Sequence, residues 1–185
     1  MTHMKVFIDQ DPNKCVWESA NVSEIAQSLA EVGIRFEQWP TLAGLCAGTA
    51  SDEVLAAYKS QIDRLCQEQG YQTVDVISLN ANAPDVLATI PQMRAKFLSE
   101  HTHSEDEVRF FVAGQGLFSL HIQGKVFEVL CQQGDLIGVP AGTRHWFDMG
   151  AKPEFAAIRF FNNPEGWVAN YTGETIAENF SRLEY

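Results

Sequence analysis

From Glu107 onward the chain runs as short strand-like segments separated by glycine-bearing turns, and this cadence limits the fold more than any other feature. Glu107 to Val112, Leu117 to Ile122, Val126 to Cys131, Leu136 to Val139, His145 to Asp148 and Phe155 to Phe161 follow at close intervals. Gln115-Gly116, Gln123-Gly124, Gln133-Gly134 and Ala141-Gly142 supply the turns between them. Many short strands at even spacing suggest a sandwich or a barrel.

The first half mixes helices with strands. Lys5 to Asp9 reads as a short strand. Asn21 with Glu24 resembles a capping box, and Ile25, Leu29 and Val32 then recur at helical spacing up to Gly33. Ile34 to Gln38 alternates like a strand and stops at Pro40. Ser51 can cap a second helix whose apolar stripe is Val54, Leu55, Tyr58, Ile62 and Leu65, closed by Gly70. Tyr71 to Leu79 reads as a strand. Pro84 opens a third, shorter helix, which Pro91 must kink or interrupt. With helices ahead of the strands and no linker in between, the expectation is an α+β protein, mainly β. It is a single domain over 1–185, a jelly-roll barrel on which the N-terminal helices and strands pack.

Charge and cysteines narrow the function. The chain has 13 basic and 24 acidic residues, a formal charge of −11, which repels phosphate backbones and anionic membranes. Nucleic-acid and membrane partners are therefore not expected. Cys15, Cys46, Cys66 and Cys131 form no CxxC pair and fit reduced thiols, with Cys66 and Cys131 in core positions. No window has the apolar length of a membrane span, and the first residues lack the apolar core of a signal peptide. A cytoplasmic location is the expectation.

The chemistry gathers around four residues. His101 and His103 are two apart, so on a strand both imidazoles point to one face. Glu107, Arg109 and Phe111 share that parity. If an irregularity at Ser104 to Asp106 preserves the phase, all five face one cavity. Further on, Gly134 to Val139 runs into the tight turn Pro140-Ala141-Gly142, and His145 opens the next strand, returning a third imidazole. Imidazole and carboxylate donors suit iron, nickel, cobalt, manganese or zinc. Four protein ligands on a six-coordinate ion leave two positions free for a bidentate oxygen ligand, whereas a closed tetrahedral zinc site leaves none. Each part has a plainer reading when taken alone: a solvated turn, a hairpin, one more surface acid beside Glu100, Glu105 and Asp106. Together and in order, they point to a metal site. His121 and His3 fall outside the pattern. Arg109 is either a strand-edge residue paired to a carboxylate or, turned inward, a buried cation needing an anionic partner such as a substrate.

These segments match the two cupin motifs: His101-x-His103, three residues, Glu107, six residues, Gly114; then Gly134, five residues, Pro140-x-Gly142, two residues, His145. Two positions depart from the cupin pattern, Ala95 and Met149, and neither supplies a ligand. A narrower signature, Phe97-Leu98-Ser99-Glu100-His101-Thr102-His103 through Asp106-Glu107-Val108-Arg109-Phe110-Phe111, resembles the acireductone dioxygenases. So do His145-Trp146-Phe147-Asp148-Met149-Gly150, Ile158-Arg159-Phe160-Phe161 and Asn163-Pro164-Glu165-Gly166-Trp167. The resemblance covers most of the chain.

It implies a metal-dependent, C–C-cleaving dioxygenase of methionine salvage with one Fe(2+) or Ni(2+) per chain. The substrate would be 1,2-dihydroxy-5-(methylthio)pent-1-en-3-one with O2. The iron form would yield 4-(methylthio)-2-oxobutanoate and formate, and the nickel form 3-(methylthio)propanoate, formate and CO. It further implies that Glu100 influences metal incorporation and that Asp106 relays local conformational change. Arg109 would stabilise the substrate dianion, and Phe97, Phe111 and Trp167 would either wall its methylthio tail or serve as core. Rival readings are another cupin metal enzyme, such as an isomerase or thiol dioxygenase, a non-enzymatic cupin binding metal or a small ligand, and a structural zinc protein. Nothing in the sequence demands assembly, so a monomer is expected.

Overall fold

The computed structural model describes residues 1–83, 87–163 and 168–184. Two antiparallel sheets face each other across an apolar interior in the jelly-roll arrangement of the cupin fold. The barrel is thus two opposed sheets rather than one closed cylinder. In chain order the strands are β1 (His3–Ile8), β2 (Asp11–Ser19), β3 (Arg35–Gln38), β4 (Thr73–Asn80), β5 (His101–Thr102) and β6 (Glu107–Ala113). There follow β7 (Gln115–Ile122), β8 (Lys125–Gln132), β9 (Asp135–Val139), β10 (Arg144–Asp148), β11 (Glu154–Phe161) and β12 (Asn170–Tyr171). One sheet has the order β12-β5-β10-β7-β8-β1-β2, the other β3-β9-β6-β11-β4.

Strand alternation sorts the side chains into three cores. Met4, Val6, Phe118, Leu120, Phe127 and Phe147 from the larger sheet meet Phe111, Ile137, Val139 and Phe155 from the smaller one in the interior. On the outer face of the smaller sheet, Val108, Phe110, Val112, Ile158 and Phe160 lie under two helices, α2 (Ser51–Ala57) and α3 (Lys59–Gln69). On the outer face of the larger sheet, Phe7, Val126 and Trp146 are covered by Ala177 and Phe180 of the C-terminal segment. β6 is therefore buried on both faces, which erases the polar alternation a half-exposed strand would show.

The local chemistry explains the helices and corrects several expectations. Helix α1 (Val22–Glu31) is capped by Asn21, whose side chain accepts from Ser23 and Glu24. The reciprocal half of the capping box does not form. Ser19 Oγ instead accepts from Asn21 N–H at 3.0 Å and donates to Glu24 at 2.6 Å. The single helix expected from Ser51 to Gly70 is two, parted at Tyr58, which has φ −103° and ψ 16°. The apolar stripe still runs through the break, with Val54, Tyr58, Ile62 and Leu65 all buried. Ser51 does not cap; Ala50 holds that position without a side-chain bond. A turn at Ala88 and Thr89 parts helical Leu87 from helix α4 (Ile90–Leu98), so the helical stretch is interrupted just ahead of Pro91, which sits in the first turn of α4, where its missing N–H costs nothing. The expected start of that helix at Pro84 lies outside the described residues.

The Gln115-Gly116 turn also shifts. The turn is made one residue earlier by Gly114 at φ +73°, and Gly116 belongs to β7. Gly116 is glycine because of crowding: a Cβ there would lie 2.5 Å from the Phe147 ring.

Candidate metal centre

His101 lies on β5 in the larger sheet and Glu107 at the head of β6 in the smaller one. The irregular stretch Ser104 to Asp106 is thus the crossing from sheet to sheet, not a bulge in one strand. His101 and Glu107 meet because the two inner faces oppose each other. His145 on β10 stands directly across from His101 in the antiparallel ladder. The turn that delivers it is clasped by the crossing segment: Gly142 N–H donates to the His103 carbonyl at 2.8 Å, and Ala141 N–H to Asp106 Oδ1 at 2.9 Å.

Each of His101, His103, Glu107 and His145 offers one donor atom, and these atoms lie within 4.8 Å of one another, all buried. The tautomers follow from the surroundings. Backbone carbonyls only accept, so Nδ1–H of His101 donates to Ser99 O at 2.7 Å, that of His103 to Val168 O at 2.9 Å, and that of His145 to Thr143 O at 2.8 Å. With Nδ1 so occupied, each ring turns Nε2 toward the centre. There, Glu107 Oε2 lies 3.1 Å from His103 Nε2 and 2.9 Å from His145 Nε2. Acceptors facing acceptors at this range require a cation or a proton between them. Carbonyl-fixed imidazoles converging on a carboxylate are the pattern of a metal site, and the four donor atoms lie close enough together to reach a single metal ion.

Protonation responds accordingly. Burial and the neighbouring His145 push His101 down to about 4, so it is neutral at pH 7. Burial also opposes charge on His103, but the hydrogen bond and charge of Glu107 outweigh it and raise that pKa. Burial would raise Glu107. The Arg109 charge and the two imidazoles win, and the carboxyl is held well below its usual range.

Arg109, two residues along β6, is 3 % exposed, and its Nη2 lies 2.8 Å from Glu107 Oε1. Burial pulls the guanidinium below its ordinary value, with Glu107 resisting. Its Cζ sits 4.6 Å from the Phe147 ring centroid, 5.5 Å from Phe118 and 5.9 Å from Phe97. The cation is thus packed among aromatic faces as well as paired.

Among the residues singled out from sequence, Phe97 reaches this site, with its ring 6.5 Å from Phe147. Phe111 is fully buried beside Phe155 at 6.1 Å, a step deeper than Arg109. Trp167 lies outside the described residues. Phe147 and Phe118 escaped the sequence reading, although Phe147 shares the parity of His145 on β10 and could have been found from it.

Asp106 holds the Ala141 turn, as above. Glu100 points to the opposite face of the sheet, accepting from His121 Nδ1 at 2.6 Å and from Thr172 Oγ1 at 2.7 Å. His121 lies outside the four-residue cluster, as does His3, which pairs with Glu18 at 2.8 Å. Cys131 is buried in the interior core, Cys66 is half-buried, and Cys15 and Cys46 are exposed thiols.

Comparison with known proteins gives a consistent picture. The acireductone dioxygenase of Pseudomonas aeruginosa PAO1 is 54% identical over 184 residues, covering 100% of this chain and 99% of that protein. The acireductone dioxygenase of Alcanivorax borkumensis SK2 is 56% identical over 182 residues, covering 98% of each. Among solved structures, an acireductone dioxygenase from Bacillus anthracis with a cadmium ion in its active centre superposes with a TM-score of 0.76. It shares 30% identity and covers 92% of this chain and 98% of its own. The family model described as ARD/ARD' matches residues 6–169, a span that contains all four converging donors and Arg109. By sequence, fold and the residues gathered at its centre, the chain belongs to the ARD/ARD' family.

Proposed function

We propose that this protein is an acireductone dioxygenase acting in methionine salvage on 1,2-dihydroxy-5-(methylthio)pent-1-en-3-one and O2. The observation that carries the reading is the convergence of three carbonyl-fixed imidazoles and Glu107 beside a buried arginine, in a member of this family. His101, His103, Glu107 and His145 hold one Fe(2+) or Ni(2+). The ion supplies Lewis-acid and redox chemistry to the substrate and O2.

The chain's own contribution is binding, charge and exclusion of water. Loss of the enediol protons leaves an anion, and Arg109 donates charge-assisted hydrogen bonds to its oxygens. The guanidinium is held for this by Glu107 on one side and by the phenyl rings of Phe147, Phe118 and Phe97 on the other. Those rings keep water from the anion and strengthen its pairing with Arg109. Phe97, with Phe111 beneath, walls the methylthio tail. Glu100 and Asp106 act from outside, Glu100 by anchoring the backbone next to His101 and Asp106 by holding the turn before His145. The working form is a cytoplasmic monomer.

The test is to prepare metal-free protein, load it separately with Fe(II) and Ni(II), and supply acireductone with O2. Expected products are 4-(methylthio)-2-oxobutanoate and formate with iron, and 3-(methylthio)propanoate, formate and CO with nickel. Folded, loaded protein that consumes no O2 with either metal would sink the reading.

A further inference from the structure

We infer that Arg159 is a second cation on the substrate's route to Arg109, and that Asp75 sets how strongly it acts; this rests on the dioxygenase reading above. Pairing register carries the argument. On the inner face of the smaller sheet, Ile137, Arg109, Arg159 and Asp75 stand opposite one another on β9, β6, β11 and β4. Directly paired residues of antiparallel strands share a face at close range. The neighbours agree: Ala157 belongs to the interior core, while Ile158 and Phe160 lie under the helices. Arg159 therefore faces the same side as Arg109.

Two guanidiniums side by side repel. Each is paired with a carboxylate: Arg109 with Glu107, two residues away on the same strand, at 2.8 Å, and Arg159 with Asp75, across the ladder on β4, through two bonds of 2.8 and 2.6 Å. Across the ladder the two cations are directly paired, Arg109 to Arg159, with Asp75 beyond Arg159. An anion placed between them relieves their repulsion. The row also grades from solvent inward. The side chains of Asp75 and Arg159 are 43% and 26% exposed, and that of Arg109 is 4% exposed. β4 is the edge strand of its sheet, so Asp75 and Arg159 lie on the solvent side of Arg109. On a chain with a charge of −11, an anionic substrate needs a local positive lane, and two adjoining cations provide one. Arg159 also lies over the Phe161 ring, 5.2 Å from its centroid.

The competing account is a cross-strand ion pair that staples β4 to β11. The two accounts predict different signs. Steady-state kinetics with iron-loaded protein and acireductone, at several ionic strengths, would compare wild type with Arg159→Gln, Arg159→Lys and Asp75→Asn. We expect Arg159→Gln to lower kcat/KM about tenfold with kcat within about twofold, and to flatten its salt dependence. Arg159→Lys should recover most of that loss. Asp75→Asn should raise kcat/KM about two- to threefold, because the neutral side chain no longer offsets the cation. As a readout apart from turnover, calorimetric titration of metal-free protein with 4-(methylthio)-2-oxobutanoate should be about fivefold weaker in Arg159→Gln. If both neutral variants melt lower yet keep wild-type kcat/KM, salt dependence and keto-acid affinity, the pair is a staple and the inference is wrong. Absence of turnover in loaded wild type would instead sink the functional reading, which separates the two failures.

Discussion

Two clusters of histidine and carboxylate lie on opposite faces of the larger sheet, and they spend their imidazole nitrogens differently. On the inner face, His101 and His145, with His103 beside them, spend Nδ1–H on backbone carbonyls and leave Nε2 pointing at Glu107. On the outer face, His121 uses both nitrogens on carboxylates, Glu100 at 2.6 Å and Asp9 at 3.2 Å, and Thr172 serves the second oxygen of Glu100. The outer cluster satisfies itself. The inner one leaves acceptors facing acceptors. Burial of a histidine thus says little about ligation; what matters is where its second nitrogen is spent.

The largest effect should come from the inner cluster. Glu107→Gln or His145→Ala is expected to weaken metal binding about a hundredfold or more and abolish turnover. The readouts are metal content after dialysis and O2 uptake. Stripping the ion from wild type should silence it yet leave circular dichroism near native, because three apolar cores remain. A chain that unfolded on chelation would be a structural zinc-like protein instead.

A smaller, different effect is expected outside. His121→Gln leaves a buried carboxylate short of a partner and should cost about 1–3 kcal/mol of stability, measured by denaturant unfolding. Metal affinity should change by less than about tenfold. If His121→Gln lost metal as readily as Glu107→Gln, the contrast between the clusters would collapse.

The smallest effect concerns Asp148, on the same outer face, which accepts two bonds from Arg94 and one each from Leu183 N–H and Gly150 N–H. Burial alone would raise its pKa, but these bonds lower it below 3.8. A depressed carboxylate contributes stability that is fully present above its unfolded value and is lost as pH falls through the lower native one. Melting curves should therefore show Asp148→Asn costing a few degrees at pH 7 and progressively less below about pH 4. An equal loss at both ends would show that packing, not charge, is what Asp148 supplies.

The donors were legible because they are local. Two-residue spacing and a Pro-x-Gly turn place His101, His103 and His145, and the strands between them alternate or run apolar. What the sequence hid was tertiary or unpatterned. β2 reads Asp-Pro-Asn-Lys-Cys-Val-Trp-Glu-Ser, mostly exposed at the sheet edge and paired to β1 through register shifts, so no burial period marks it. The glycine of Gly116 signals a crowding phenyl ring, not a turn. The helix break at Tyr58 involves no proline or glycine, so no breaker residue marks it in the sequence. The His121–Glu100 pair and the Arg109–Arg159 row depend on register between distant strands, which side-chain spacing cannot give.

The C-terminal segment alters when the metal centre can exist. Val168 supplies the carbonyl that orients His103, and Tyr171 pairs with His101 on the short strand β5. Thr172 N–H then bonds the Glu100 carbonyl, and Phe180 and Leu183 anchor the segment against Trp146 and Asp148. Synthesis proceeds from the N-terminus, so all four donors leave the ribosome before the residues that aim two of them. A nascent chain stalled at residue 160 would carry all four donors yet lack the carbonyl that orients His103 and the strand that pairs with His101, so the four-residue centre is completed only late in the protein's maturation.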